Sequence, residues 1–435
     1  MRARKLFTVG TVLLAVMALA TLAGGQQGNR QLAAAAGDAA APDPTFTRDV
    51  LPIFQENCQV CHRSNGANLG GMVAPMSLRT YEEVRPYVQK IATFVEARYM
   101  PPWHASPDQH GLFEGERVLS QAEIDTIVGW VRSGAPEGDP ADAPPPVSFA
   151  SDISGWAIGE PDLIVQFDEP YLVKDDVVDE YVDIEVVIPA EMLPEDKWIK
   201  AVEFRPGSSV VHHIIANPLG GIAPGYEPRI YDDGYSRLLR RGTVVTFNMH
   251  YHKEAGEGTA VYDQTMVAVT FYEPGEKIQY VVESDMLGTL DFVIPANDPN
   301  YSDMAFYLFR KDAHILWFNP HMHLRGKAAR YVVTFPDASQ QLLLEVPEYD
   351  FNWQETYRFK EPVFVPRGTR IDLTLWWDNS ADNPSNPNPN RDVRWGRPTT
   401  DEMGFGFVTF VDVEPRHDII VGEELPRDLR RRTRR

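Results

Sequence analysis

The 435-residue sequence predicts several domains: a small all-α unit followed by two all-β antiparallel sandwiches of jelly-roll-like build. Three observations lead there. Helix-start signals recur between residues 45 and 136. From about Pro161 onward, apolar residues return at every second position between Gly and Pro turns. That strand-patterned stretch runs for roughly 250 residues, more than one sandwich needs.

Composition bounds the function. Hydrophobic residues make up 43% and charged residues 24%, a globular balance. The formal net charge of −21 repels a phosphate backbone, so no nucleic-acid partner is expected. At the N-terminus, Arg2, Arg4 and Lys5 precede an apolar run from Leu6 to Leu22, with small residues at Ala20 and Ala23. Residues 1–23 read as an export signal and predict a periplasmic or otherwise exported protein. An uncleaved signal is the alternative, and the main route to membrane attachment. Residues 24–44, rich in Ala, Gly and Gln, read as a linker. The basic tail, 417–435, with Arg427, Arg430, Arg431, Arg432, Arg434 and Arg435, reads as solvated, with an anionic membrane surface as its other reading.

The unit 45–136 opens with a helix that Thr47 can cap and that carries Val50, Leu51 and Phe54. It leads to Cys58-Gln59-Val60-Cys61-His62. C-x-x-C-H is the attachment pattern of c-type haem: two thiols bond the porphyrin edge and the adjacent histidine ligates iron. A redox dithiol is the alternative. These are the only two cysteines, so no disulfide framework is available. Thr80 with Glu83, and Ser120 with Glu123, form capping-box patterns before two further helices. Ile124, Ile127, Val128 and Val131 fall on one face of the second. Met100, in Tyr99-Met100-Pro101-Pro102-Trp103-His104, is the preferred sixth iron ligand, with Met72, Met76, His104 and His110 as rivals. Residues 137–160 are proline-rich and read as a stiff spacer.

In the strand-rich remainder, the first sandwich is placed at 161–288 and the second at 289–416. Val182, Ile184, Val186 and Ile188 alternate with other residues, as do Ile371, Leu373, Leu375 and Trp377. The histidines cluster in three short motifs: Val211-His212-His213-Ile214, His250-Tyr251-His252, and Asn319-Pro320-His321-Met322-His323-Leu324-Arg325-Gly326. His321 and His323, two apart on an extended chain, face one way and can share a metal ion. His250 and His252 also share a face, so spacing leaves open which one ligates. His212 and His213 are adjacent and can share an ion only where the strand bulges or twists. Asp401-Glu402-Met403-Gly404 opens the last long strand.

The order H-H, H-Y-H, H-M-H-L-R-G, E-M resembles the copper type II ascorbate-dependent monooxygenases, which include the peptidylglycine hydroxylating and dopamine β-monooxygenases. The likeness spans about Pro161 to Pro415. With the C-x-x-C-H unit in front, the arrangement resembles a group of bacterial homologues fused to a class I cytochrome c. The resemblance implies two eight- or nine-stranded sandwiches, each with one copper, facing across a solvent-filled cleft. By position, His212, His213 and His250 would hold an electron-transfer copper, and His321, His323 and Met403 the copper at which oxygen reacts. Thioether sulfur suits Cu(I). The animal enzymes carry disulfides in both domains, and this chain has none to spare. The peptide-amidating branch carries an arginine where this chain has Asn319, so a peptide substrate is not expected.

The function these readings imply is an exported copper-dependent monooxygenase with two coppers and one covalent haem c. It would act on a small organic substrate with O2, and draw electrons from ascorbate or a redox protein. A non-catalytic haem and copper protein, for electron transfer or copper binding, is the alternative. A cytochrome joined to an adhesive or carbohydrate-binding sandwich is a third. No nucleophile elbow or H-E-x-x-H motif supports a hydrolase.

Overall fold

The computed structural model describes residues 43–64, 66, 74–414, 416–426 and 429. The expected export signal, most of the linker after it, Met72 and the arginines of the tail lie outside the described residues. Among the described residues, no helix is long and apolar enough to cross a membrane.

Strands dominate, with few helices. Two sandwiches share one long sheet. In the first, strands Leu163–Gln166, Met266–Phe271, Lys197–Arg205 and Tyr235–Leu239 face a four-stranded sheet ordered Asp179–Val187, Val244–His252, Val211–Asn217, Gly220–Ile222. Val165, Phe167, Ile214, Phe247, Met249 and Val267 pack between them. In the second, strands Tyr280–Gly288, Gly404–Asp412, Ala313–Met322 and Tyr357–Val365 face Tyr301–Leu308, Arg370–Trp377, Gly326–Thr334 and Gln340–Val346. Its core includes Ile315, Phe318, Tyr331, Leu373 and Trp377. Strand Arg370–Trp377 alternates strictly between buried and less buried positions, as the period-two pattern requires. Strand Tyr280–Gly288 ties the two halves together. Its first residues pair in parallel with Tyr235 and Ser236, and the rest pairs antiparallel with Gly404–Asp412.

The helices precede the sandwiches. Thr80 and Ser120 each close a capping box, with Glu83 and Glu123, ahead of Tyr81–Val84 and Gln121–Arg132. Ile124, Ile127, Val128 and Val131 are buried on one face. Thr47 does not cap the first helix. That helical segment starts at Phe46, with Thr45 at the cap position, and the Thr47 hydroxyl donates to the Glu137 carbonyl 3.1 Å away. The proline-rich segment does not stand off as a free spacer. Gln55 donates to the Pro145 carbonyl, and the Arg63 guanidinium lies 3.8 Å from the Phe149 ring centre.

The stretch between helix Val88–Glu96 and helix Gln121–Arg132 leaves its own unit and enters the second sandwich. Phe113 is fully buried in that core beside Phe359 and Tyr357, at ring separations of 5.1 and 5.7 Å. Backbone bonds from Ser106 to the Glu345 carbonyl and from Lys360 to the Leu112 carbonyl fasten it. The helical unit is thereby docked on the sandwich more distant in sequence.

Candidate metal centres

Cys58, Cys61 and His62 line an apolar cavity of about 470 Å³ whose wall also includes Phe54, Met76, Leu78, Ile91, Phe94, Met100 and Trp353. That volume lies within the range of cofactor sites. Both thiols are free. Burial pushes Cys58 up to about 12 and raises Cys61 too, opposite to the lowered pKa of a reactive redox dithiol. His62 Nδ1 lies 3.3 Å from the Met76 carbonyl. Donation there fixes the tautomer and leaves Nε2 as the lone-pair nitrogen. Of the expected sixth ligands, Met100 and Met76 line this cavity, whereas His104 and His110 line a neighbouring one.

The second centre is built on the four-stranded sheet of the first sandwich. His213 stands opposite His250 in the ladder, and the register shifts between Val211 and His213. The shift lodges His212 in a bulge. Val211 and Ile214 both turn into the core, and the two histidines between them are left on the outer side. The bulge therefore meets the condition that adjacent residues on a flat strand cannot. Ligand atoms of His212, His213 and His250 all lie within 4.8 Å of one another. His250 Nδ1 lies 3.3 Å from His213 Nδ1, while its Nε2 donates to Asp179 Oδ1 at 2.9 Å. His252 stays out of the cluster: its half-exposed ring bonds the same Asp179 oxygen at 3.0 Å. Tyr181 stacks on His250 at 4.2 Å.

The third centre lies at the end of strand Ala313–Met322. His321 and His323 hold ring centres 5.5 Å apart. His321 Nδ1 bonds Gln354 Oε1 at 2.7 Å, and His323 Nδ1 bonds the Asp401 carbonyl at 3.3 Å. The ladder pairs His321 with Phe405 and ends at Met322 with Gly404; His323 follows the one strand directly and Met403 directly precedes the other. Glu402, fully buried, accepts the backbone N–H groups of His323 at 2.9 Å, Arg325 at 2.7 Å and Met403 at 3.3 Å. One side chain thus ties the His323–Arg325 turn to the segment that carries Met403. Gly326 closes the motif because a Cβ there would sit 2.7 Å from Met322 Cβ and the Tyr349 ring. Asn319 is tied inward, donating to Thr356 Oγ1 at 2.6 Å.

The donor chemistry fits a metal at both histidine centres. His212 Nδ1 and Nε2 and His323 Nε2 are buried without a hydrogen-bond partner, a cost that coordination would relieve. Burial and the neighbouring imidazoles push His212 down to about 3 and His213 well below the ordinary value. His323 is likewise well below, and burial lowers His321 and His250. All five therefore keep neutral rings with lone pairs to give. Three imidazoles suit copper, and so would two imidazoles joined by the thioether expected from Met403.

The two histidine centres are close. Phe351 stacks on His212 at 4.7 Å and meets His323 edge-on at 5.9 Å. Where a solvent-filled cleft was expected, an aromatic ring lies between these two imidazoles. Motif spacing singled out neither Asp179, 71 residues from His250, nor Phe351 and Gln354, because no local pattern links them to the histidines.

No family model matches the chain, and no curated protein matches it. Solved structures similar to it include the major capsid protein P2 of bacteriophage PM2, at 8% identity and a TM-score of 0.26 over 59% of this chain and 99% of that one. A Paenibacillus xanthan lyase matches at 10% identity and a TM-score of 0.15, over 57% of this chain and 25% of that one. The tandem CBM22 domains of Paenibacillus barcinonensis Xyn10C match at 8% identity and a TM-score of 0.14, over 56% and 80%.

Proposed function

We propose that the chain is an exported copper-dependent monooxygenase that hydroxylates a C–H bond of a small organic substrate, with electrons entering through a covalently attached c-type haem. The observation that carries this reading is the pairing of two imidazole clusters with unpartnered ring nitrogens on either side of Phe351. The overall change is R–H, dioxygen, two electrons and two protons giving R–OH and water. Copper would supply one-electron chemistry with dioxygen, and haem c would relay the two electrons, one at a time, from ascorbate or a redox protein. His212, His213 and His250 would hold one copper, with Asp179 orienting His250. His321, His323 and Met403 would hold the other, with Gln354 and Glu402 fixing ring and backbone. His62 and Met100 would ligate the haem iron, with Cys58 and Cys61 bonding the porphyrin.

Oxygen uptake tests the reading. Protein loaded with copper and haem, with ascorbate as donor, is expected to consume oxygen when candidate organic substrates are added; once ascorbate has made both coppers cuprous, the reduced haem is expected to reoxidise only with both oxygen and substrate present. Haem that stays reduced during turnover refutes the electron-supply role. Full metal loading without substrate-linked uptake by any C–H compound in a broad panel favours the non-catalytic alternative.

A further inference from the structure

We infer that the strap Tyr349–Glu355 is the electron path between the C-x-x-C-H cavity and the histidine centres, with Trp353 as its entry and Phe351 as its exit. The inference rests on the proposed function and names side chains which that reading leaves unassigned.

Three consecutive contacts of one short segment carry it. Trp353 lines the cavity that holds Cys58, Cys61 and His62, although it belongs to the second sandwich. Two residues earlier, Phe351 touches both histidine centres, stacking on His212 at 4.7 Å and meeting His323 at 5.9 Å. One residue after Trp353, Gln354 bonds His321 Nδ1 at 2.7 Å. The Gln354 amide also donates to the Phe351 carbonyl at 3.0 Å, which closes the strap on itself. Covalent bonds, one hydrogen bond and ring contacts thus run unbroken from the cavity wall to both centres.

The strap is also fixed in place. The Trp353 indole N–H donates to Glu355 at 3.1 Å. Glu355 is almost fully buried and pairs with Arg117 of the helical unit. Arg117 lines the same cavity, and its guanidinium lies 5.9 Å from the Trp353 ring centre. The Trp353 N–H is committed and the ring is held, so little has to rearrange when an electron passes. Each transfer would move one electron from a ferrous haem held at Cys58, Cys61 and His62 to a cupric ion held by the histidines, leaving ferric and cuprous ions. No bond forms or breaks.

The test uses the full chain loaded with haem and copper, without oxygen. A photochemical one-electron reductant reduces the haem in a pulse, and haem absorbance then reports its reoxidation by cupric ion within the molecule. In the wild type this decay is expected to require copper and to be independent of protein concentration. Trp353→Leu and Phe351→Leu are each expected to slow it on the order of tenfold, with the haem spectrum and the cupric paramagnetic resonance signals unchanged. Those two spectra separate a lost path from a damaged site, which mere packing would not do. Trp353→Phe keeps a ring and is expected to retain most of the rate. If Trp353→Leu does not fold, Phe351→Leu carries the test, and a Trp353→Phe rate as slow as that expected of a leucine variant, with both spectra intact, overturns the path. So does an unchanged rate in either leucine variant with both spectra intact. A wild type that binds haem and copper yet passes no electron overturns the proposed function itself, a result distinct from a rate insensitive to the substitutions.

Discussion

Asp179→Ala is the substitution that most selectively probes the first histidine centre. One Asp179 oxygen accepts from both His250 at 2.9 Å and His252 at 3.0 Å. Burial pushes the Asp179 carboxyl up, but those two imidazoles outweigh it and hold it below the usual carboxylate range. The two bonds are not equal. His252 is half exposed, so its pair with Asp179 is screened and contributes little. His250 is fully buried, and its Nε2 would be left with no partner, a cost of about 1–3 kcal/mol. Losing the orienting carboxylate of a metal-bound histidine typically weakens metal affinity by about 10–100-fold, which is about 1.4–2.7 kcal/mol. Copper titration against a competing chelator measures it. The copper at His212, His213 and His250 is expected to weaken by that factor, while the copper at His321, His323 and Met403 keeps its affinity. Asp179→Asn, which retains an acceptor, is expected to fall between. Unchanged affinity, or equal loss at both centres, refutes the reasoning.

Other expectations follow from the same geometry. Met403→Leu changes shape little and is expected to cost under about 1.5 kcal/mol of stability, while lowering the Cu(I) affinity of the second centre alone, read by cuprous-chelator competition. Cys58→Ser with Cys61→Ser is expected to abolish covalent haem, seen as pigment lost on denaturing extraction. Phe113→Ala empties a fully buried site in the second sandwich and is expected to cost about 3–5 kcal/mol, with protease cleavage appearing first between residues 99 and 118. The metal-free protein is expected to lose stability as pH falls. His212 and His213 stay neutral in the fold while the unfolded chain takes up protons below about 6.5. The loss begins there, continues towards the value of about 3 for His212, and is read by thermal melts across that window; stability flat over it refutes the burial of these rings as neutral groups.

Much of the fold was legible because its signals are local. The capping boxes at Thr80 and Ser120 need only a spacing of three, and the period-two run at Ile371 needs only alternation. Thr47 misled because a hydroxyl near a helix start can as well bond a distant carbonyl, here that of Glu137. The docking of Phe113 in a core more than 200 residues away carries no local mark. At the site, the H-x-H pair announces a shared face, but His212 and His213 depend on a bulge that spacing does not encode. The sign was present in Val211 and Ile214, apolar residues three apart that both face the core. Asp179, Phe351, Trp353 and Gln354 reach the histidines or the cavity only through tertiary packing.

Elemental analysis of the purified, copper-reconstituted protein tests the central claim most directly. Two coppers for each iron, with one copper lost in a Met403→Ala, His321→Ala, His323→Ala variant and the other retained, is the predicted result. One copper or none per iron, or a chain without iron, would contradict it.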